Sequence, residues 1–134
     1  MSNLNFKMSE LIHSDIANKY KINNMPDINS LDCMLDLIHH CLQPIRELLG
    51  KPMIITSGYR CSTLNNHPEV GGEKTSQHLR GQAADFVVSG MTPKQIVEKI
   101  KNSGIVFDQL INEYDRWVHV SFKKGNNRKQ VLKY

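Results

Sequence analysis

Two short apolar runs each enclose an ionisable residue: Asp85 within Ala83-Ala84-Asp85-Phe86-Val87-Val88, and His119 within Trp117-Val118-His119-Val120. Runs of this length, rich in β-branched residues, read as strands buried on at least one face. A carboxylate in such a strand is costly unless it is paired or bound to a metal. A core histidine satisfied by a backbone carbonyl is the plain reading of His119. A single ion shared between two such strands accommodates both residues better. His78, in Ser76-Gln77-His78-Leu79-Arg80-Gly81, lies seven residues before Asp85 and offers a third ligand, although that spacing alone means little. Gly81 and Ala83 leave room around such a centre.

Two imidazoles and one carboxylate suit a tetrahedral zinc that keeps its fourth position open, which distinguishes catalytic from structural zinc. A carboxylate close by but off the metal can then take a proton from water. Hairpin geometry makes Glu113 the first candidate. If Tyr114-Asp115-Arg116 is a three-residue turn, Glu113 pairs with Trp117 and Ile111 with His119. Glu113 and His119 then share a face, because side chains alternate with period two. A two-residue turn at Asp115-Arg116 puts Glu113 on the other face and makes Asp115 the alternative base.

The rest of the chain reads as one α+β domain over residues 1–134, with a helical part (1–50) packed on a small antiparallel sheet that carries the metal site (51–134). Ser9 caps a short helix running towards Tyr20, and Asn23-Asn24-Met25-Pro26-Asp27 ends it. A longer helix from Ser30 carries Leu31, Leu35, Ile38, Leu42, Ile45 and Leu49 as one apolar stripe. Pro44 predicts a kink or break in it, and Gly50 a stop. Met53–Ser57 is a strand, followed by a long polar loop from Gly58 to about Gln77 and a second strand from Gln82 to Val88. Thr92, Pro93 and Gln95 open a helix through a capping box. Phe107–Glu113 and Trp117–Phe122 form the hairpin, and Arg128–Tyr134 is a last strand.

A chain of 134 residues supports a single core without disulfides. Cys33 and Cys41 lie eight apart on a helix, about 12 Å at 1.5 Å rise per residue, too far to bridge. All three cysteines therefore read as reduced thiols, in keeping with synthesis in a reducing cytoplasm. The N-terminus has no apolar stretch of signal-peptide type, and no run approaches a membrane span. The net charge of +4 is mild and scattered, without the basic stripe that nucleic-acid binding requires.

The segment Ser57-Gly58-Tyr59-Arg60, the pattern Ser76-x-His78-x-x-Gly81-x-Ala83-x-Asp85 and the run Trp117-Val118-His119-Val120-Ser121 together resemble the zinc D-alanyl-D-alanine carboxypeptidases and related peptidoglycan peptidases. The hedgehog signalling domain shares their fold and metal site. The resemblance covers about residues 50 to 122 and implies zinc on His78, Asp85 and His119. Hedgehog-type members carry a Glu six positions before the last ligand, which matches Glu113. Others carry the acid three positions before it, where this chain has Arg116. In related dipeptidases an arginine matching Arg60 faces the substrate, so Arg60 is expected to bind a peptide carboxylate or steady an oxyanion. Ser76 is expected either to bond substrate or to organise the loop before His78. His39, His40 and His67 read as non-ligands, with His67 placed to touch substrate at most.

The expected protein is thus a monomeric zinc metallopeptidase of peptidoglycan stem peptides or cross-links, including phage endolysins. It would be made without a signal peptide and act on the wall once released or exported. A small dipeptide hydrolase and a non-catalytic zinc-containing wall-binding module are the alternatives, and the retained Glu113 argues against the second.

Overall fold

Six helices and five strands form in the order helices, strand, helix, strand, helix, three strands, in the computed structural model, which describes residues 4–134. The helical start divides more finely than its periodicity implies. Helix α1 (Met8–Ile12) opens at Lys7, whose N–H donates to Glu10 Oε1 at 2.9 Å. The single helix expected from Ser9 to Tyr20 is instead two. Ser14 Oγ accepts the Ala17 N–H and caps a new helix, α2 (Asp15–Lys19), while His13 turns extended. A serine cap outcompetes continuation there because it satisfies a donor that an N-terminal turn leaves free.

Helix α3 (Ile28–Leu37) begins two residues before Ser30, because Asp27 accepts the Ser30 N–H at 2.7 Å. Pro44 breaks the regular pattern as expected, but upstream. A π-helical turn (Ile38–Leu42) precedes α4 (Gln43–Leu49), with the Gln43 N–H reaching back five residues to Ile38 O. One added residue rotates the preceding stripe by about 100°. Leu35 is consequently turned outward, and Met34, Leu37 and Cys41 join Ile38, Leu42, Ile45 and Leu49 in the core. Gly50 closes α4 in the left-handed conformation with φ 65°.

The strands β1 (Ile54–Ser57), β2 (Ala83–Val87), β3 (Gln109–Glu113), β4 (Trp117–Ser121) and β5 (Gln130–Lys133) make one sheet in the order β1-β2-β4-β3-β5. All pairs are antiparallel except β3–β5, so the expected antiparallel sheet forms with one parallel pair at its edge. The reason is topological. Both neighbours of β4 are taken by β2 and β3, and the short turn after β4 returns the chain to the end where β3 begins. The last strand must therefore run in the direction of β3 on its free side.

Alternation gives the sheet two different faces. Ala84, Phe86, Leu110, Val118 and Val120 are buried against Met34, Leu37, Ile38, Ile45 and the inner residues of α6 (Pro93–Lys101). The capping box of α6 forms as expected: Thr92 Oγ1 accepts the Gln95 N–H and Gln95 Oε1 accepts the Thr92 N–H. Asp85, His119, Ile111 and Glu113 occupy the opposite face. The loop from Gly58 is not featureless. It holds a short helix, α5 (Ser62–Asn65), and ends in a 3-10 turn (Gln77–Arg80) that presents His78.

Candidate metal centre

The sheet register brings Asp85 and His119 together as direct cross-strand partners on β2 and β4. His119 Nδ1 lies 2.9 Å from Asp85 Oδ1, and His78 Nε2 lies 3.3 Å from the same oxygen. One ligand atom from each of the three residues falls within 4.8 Å of the others. His78 is buried at 3% exposure, and the side chains of Asp85 and His119 are nearly so.

The hydrogen bonds decide what these atoms present. His78 Nδ1 sits 2.7 Å from Gly58 O. A carbonyl only accepts, so that nitrogen carries the proton, and in the neutral ring Nε2 is a bare lone pair. This lone pair faces a carboxylate oxygen, an arrangement that is repulsive unless a cation lies between. Burial pushes the His78 pKa down, against the pull of Asp85, so the ring itself resists becoming that cation. Burial alone would raise the Asp85 carboxyl. The two imidazoles beside it outweigh that effect and hold the carboxyl well below the usual carboxylate range. Two imidazole nitrogens around an ionised carboxylate form a donor set that fits a divalent metal ion.

Local structure explains how His78 reaches the sheet. Ser76 Oγ accepts the His78 N–H at 3.1 Å and opens the 3-10 turn, so Ser76 organises the loop at His78. Gly81 closes that turn with φ 74°. The space expected around the metal from Gly81 serves another purpose. A Cβ there would meet Ser30 O at 2.5 Å and Met34 Cγ at 2.7 Å, so Gly81 permits close approach of α3 rather than of an ion.

The hairpin turn is three residues long, with Glu113 paired to Trp117 and Ile111 to His119. Glu113 therefore shares the face of Asp85 and His119. Asp115 does not: it lies at the exposed tip and its N–H donates to Asn112 Oδ1 at 2.9 Å. Burial raises the Glu113 pKa, and the Asp85 charge adds to this while His119 opposes it. Arg60 is not a solvated surface residue. Its N–H donates to His78 O at 3.0 Å, and its Nε is buried without a protein partner among the described residues. Burial lowers its pKa and the Asp85 charge raises it. Arg60, Ser57 and Tyr59 line a surface cavity of about 440 Å³ whose other wall is formed by Ser14, Asp15 and Glu69.

The remaining histidines lie elsewhere. His40 stacks on Phe122, and His67 lies against the Tyr20 ring, 4.3 Å between centroids. The cysteines are free, and burial pushes the Cys41 thiol up to about 12. No helix among the described residues is long and apolar enough to cross a membrane.

Two supporting residues had escaped the sequence reading. Buried Asn24 donates to Ile12 O and Tyr59 O and accepts the Cys61 N–H, so it pins the chain on both sides of Arg60. An asparagine ahead of a proline reads only as a helix breaker, and nothing local marks that role. Buried Asp108 accepts a two-pronged bond from Arg128, at 2.9 and 2.8 Å, and a third from Gln77, next to His78. Its signal was available: like Asp85, it is an acid beside an apolar strand.

The family model for Peptidase M15 matches residues 4–121 of the chain. No curated protein matches it.

Proposed function

The chain belongs to the Peptidase M15 family of metal-dependent peptidases, and on that premise we propose that it is a zinc enzyme that hydrolyses peptide bonds of bacterial peptidoglycan. The bonds are those of stem peptides or cross-links, cleaved in the manner of a D-Ala-D-Ala carboxypeptidase or endopeptidase. The observation that carries the reading is the convergence of His78, Asp85 and His119 on the sheet face that also bears Glu113.

His78 Nε2, His119 Nδ1 and Asp85 Oδ1 would hold the zinc ion. When bound, zinc supplies Lewis acidity towards a carbonyl oxygen and lowers the pKa of water. Glu113 is the general base: its carboxylate accepts a proton from the attacking water and returns it to the departing amine nitrogen as the C–N bond breaks. A partly desolvated carboxylate with a raised pKa suits both halves of that transfer. Arg60 donates from its guanidinium to a substrate carboxylate or to the oxygen that gains charge. Ser76 holds the His78 turn in place, and its hydroxyl proton is free for a peptide carbonyl. The substrate lies outside the cytoplasmic membrane, so the enzyme would meet it after release or export, as an endolysin does.

Purified wall incubated with zinc-loaded protein and analysed by mass spectrometry tests the reading. New amino groups without new reducing ends are expected. Reducing ends without amines would indicate a glycosidase, and no products from a zinc-loaded protein would indicate a wall-binding module.

A further inference from the structure

Beside Glu113, the hairpin residues Tyr114 and Trp117 meet Tyr134, which follows β5, in a group of three aromatic rings that the chemistry above does not use. Tyr114 is 63% exposed and Tyr134 57% exposed, and Trp117 is half-buried on the ligand face. The Tyr114 ring centroid lies 6.2 Å from that of Trp117 and 6.4 Å from that of Tyr134. Their backbone is tied down: the Tyr114 N–H donates to Tyr134 O, and the Tyr134 N–H donates to Asn112 O. Three rings are thus fixed on one corner of the sheet with much of their surface open to solvent.

The backbone adds a second observation. Tyr114 has φ 57° and Asp115 has φ 56°. The left-handed region costs a residue with a Cβ about 1–2 kcal/mol, and turns normally place Gly or Asn there. A bulky aromatic held at that position, at the rim of a candidate active site, points to a role for the ring itself. Tyr and Trp offer rigid apolar faces with a polar edge, at little conformational cost. A pyranose ring is their complement, since its C–H groups form an apolar face and its hydroxyl and amide groups radiate from the edge.

We propose that Tyr114, Trp117 and Tyr134 form a sugar-stacking platform that seats an N-acetylhexosamine ring of a glycan strand beside the catalytic face. The identity of that glycan as the wall polymer rests on the peptidase reading; the stacking itself does not. Seating the strand here delivers its attached peptide towards Glu113, two residues along the same face from Ile111 and paired with Trp117.

Trp117 is the single tryptophan of the chain and reports directly on the platform. Titration with the N-acetylglucosamine tetramer is expected to change its emission saturably. Tyr114→Gly keeps a backbone that suits φ 57° and removes only the ring, so it should fold and bind roughly tenfold more weakly, in line with the loss of one stacking contact. Tyr134→Ala should weaken binding likewise, with melting curves confirming the fold of both variants. In the wild-type enzyme the tetramer should slow hydrolysis of glycan-linked peptides and leave free stem peptides unaffected. An unchanged emission, equal binding by both variants, or an equal response to free stem peptides or a mononucleotide would overturn the proposal. Peptide hydrolysis without sugar binding would sink the platform alone, whereas sugar binding without hydrolysis would sink the peptidase reading alone.

Discussion

Gly58→Ala is the substitution with the most consequences for its size. A Cβ at Gly58 would sit 2.3 Å from Leu11 O, 2.8 Å from Leu11 Cα and 2.9 Å from Leu11 C. These are backbone atoms of α1, so no side chain can swing aside to relieve the clash. Separation of the two segments also strains the bond from the Tyr59 N–H to Leu11 O, now 2.7 Å. Overpacking of a tight contact costs about 1–3 kcal/mol, and a lost buried hydrogen bond adds roughly 1 kcal/mol. The sum is about 2–4 kcal/mol, or roughly 10 °C in melting temperature for a domain of this size. The damage reaches the candidate metal centre, because Gly58 O is what fixes His78 Nδ1 as a donor. Loss of such a supporting bond typically costs 10–100-fold in metal affinity. Calorimetry of the metal-free proteins, followed by zinc competition against a chromogenic chelator, measures the two effects separately. A melting temperature within about 1 °C of wild type would refute the packing argument. Full destabilisation with unchanged zinc affinity would refute the link to His78.

Glu113→Gln should preserve fold and zinc content while lowering peptide turnover by at least ~10², and Asp115→Asn should have little effect; the reverse ranking would contradict the three-residue turn. Elemental analysis should find near-stoichiometric zinc that His78→Ala and His119→Ala both lose, and chelation should lower the melting temperature of the wild type alone. Asp108 gives an acid limb. The Arg128 bonds, against the opposing effect of burial, hold its carboxyl at about 2, below the value near 3.9 of an unfolded chain. Its contribution is therefore complete above about pH 4 and lost as pH falls through about 2, an effect of about 2 kcal/mol. Acid unfolding followed by circular dichroism should show this component in wild type and a smaller one in Arg128→Gln, which keeps the bonds from the residue 128 backbone N–H and Gln77, and superimposable curves would remove it.

The candidate centre was legible from the linear chain because its proposed ligands contradict their surroundings. Asp85 and His119 stand in apolar strands where an unpaired charge is expensive, and that conflict is local. The capping box at Thr92 and the stop at Gly50 were equally legible, since caps involve neighbours within four residues. Even Glu113 was narrowed to one turn-length choice by the period of two. What the chain could not declare alone were relations between distant segments. The π turn before Pro44 changed which leucines face inward, because a widened helix turn is chosen by packing as well as by propensity. Strand β5 became parallel because the neighbouring edges were already occupied. Gly81 looked like room for a metal and proved to be room for α3, and Asn24 looked like a helix breaker and proved to brace Arg60. Both depend on chain segments tens of residues away. Local sequence carries the cost of each buried polar group, and only the tertiary structure supplies the partner that compensates it.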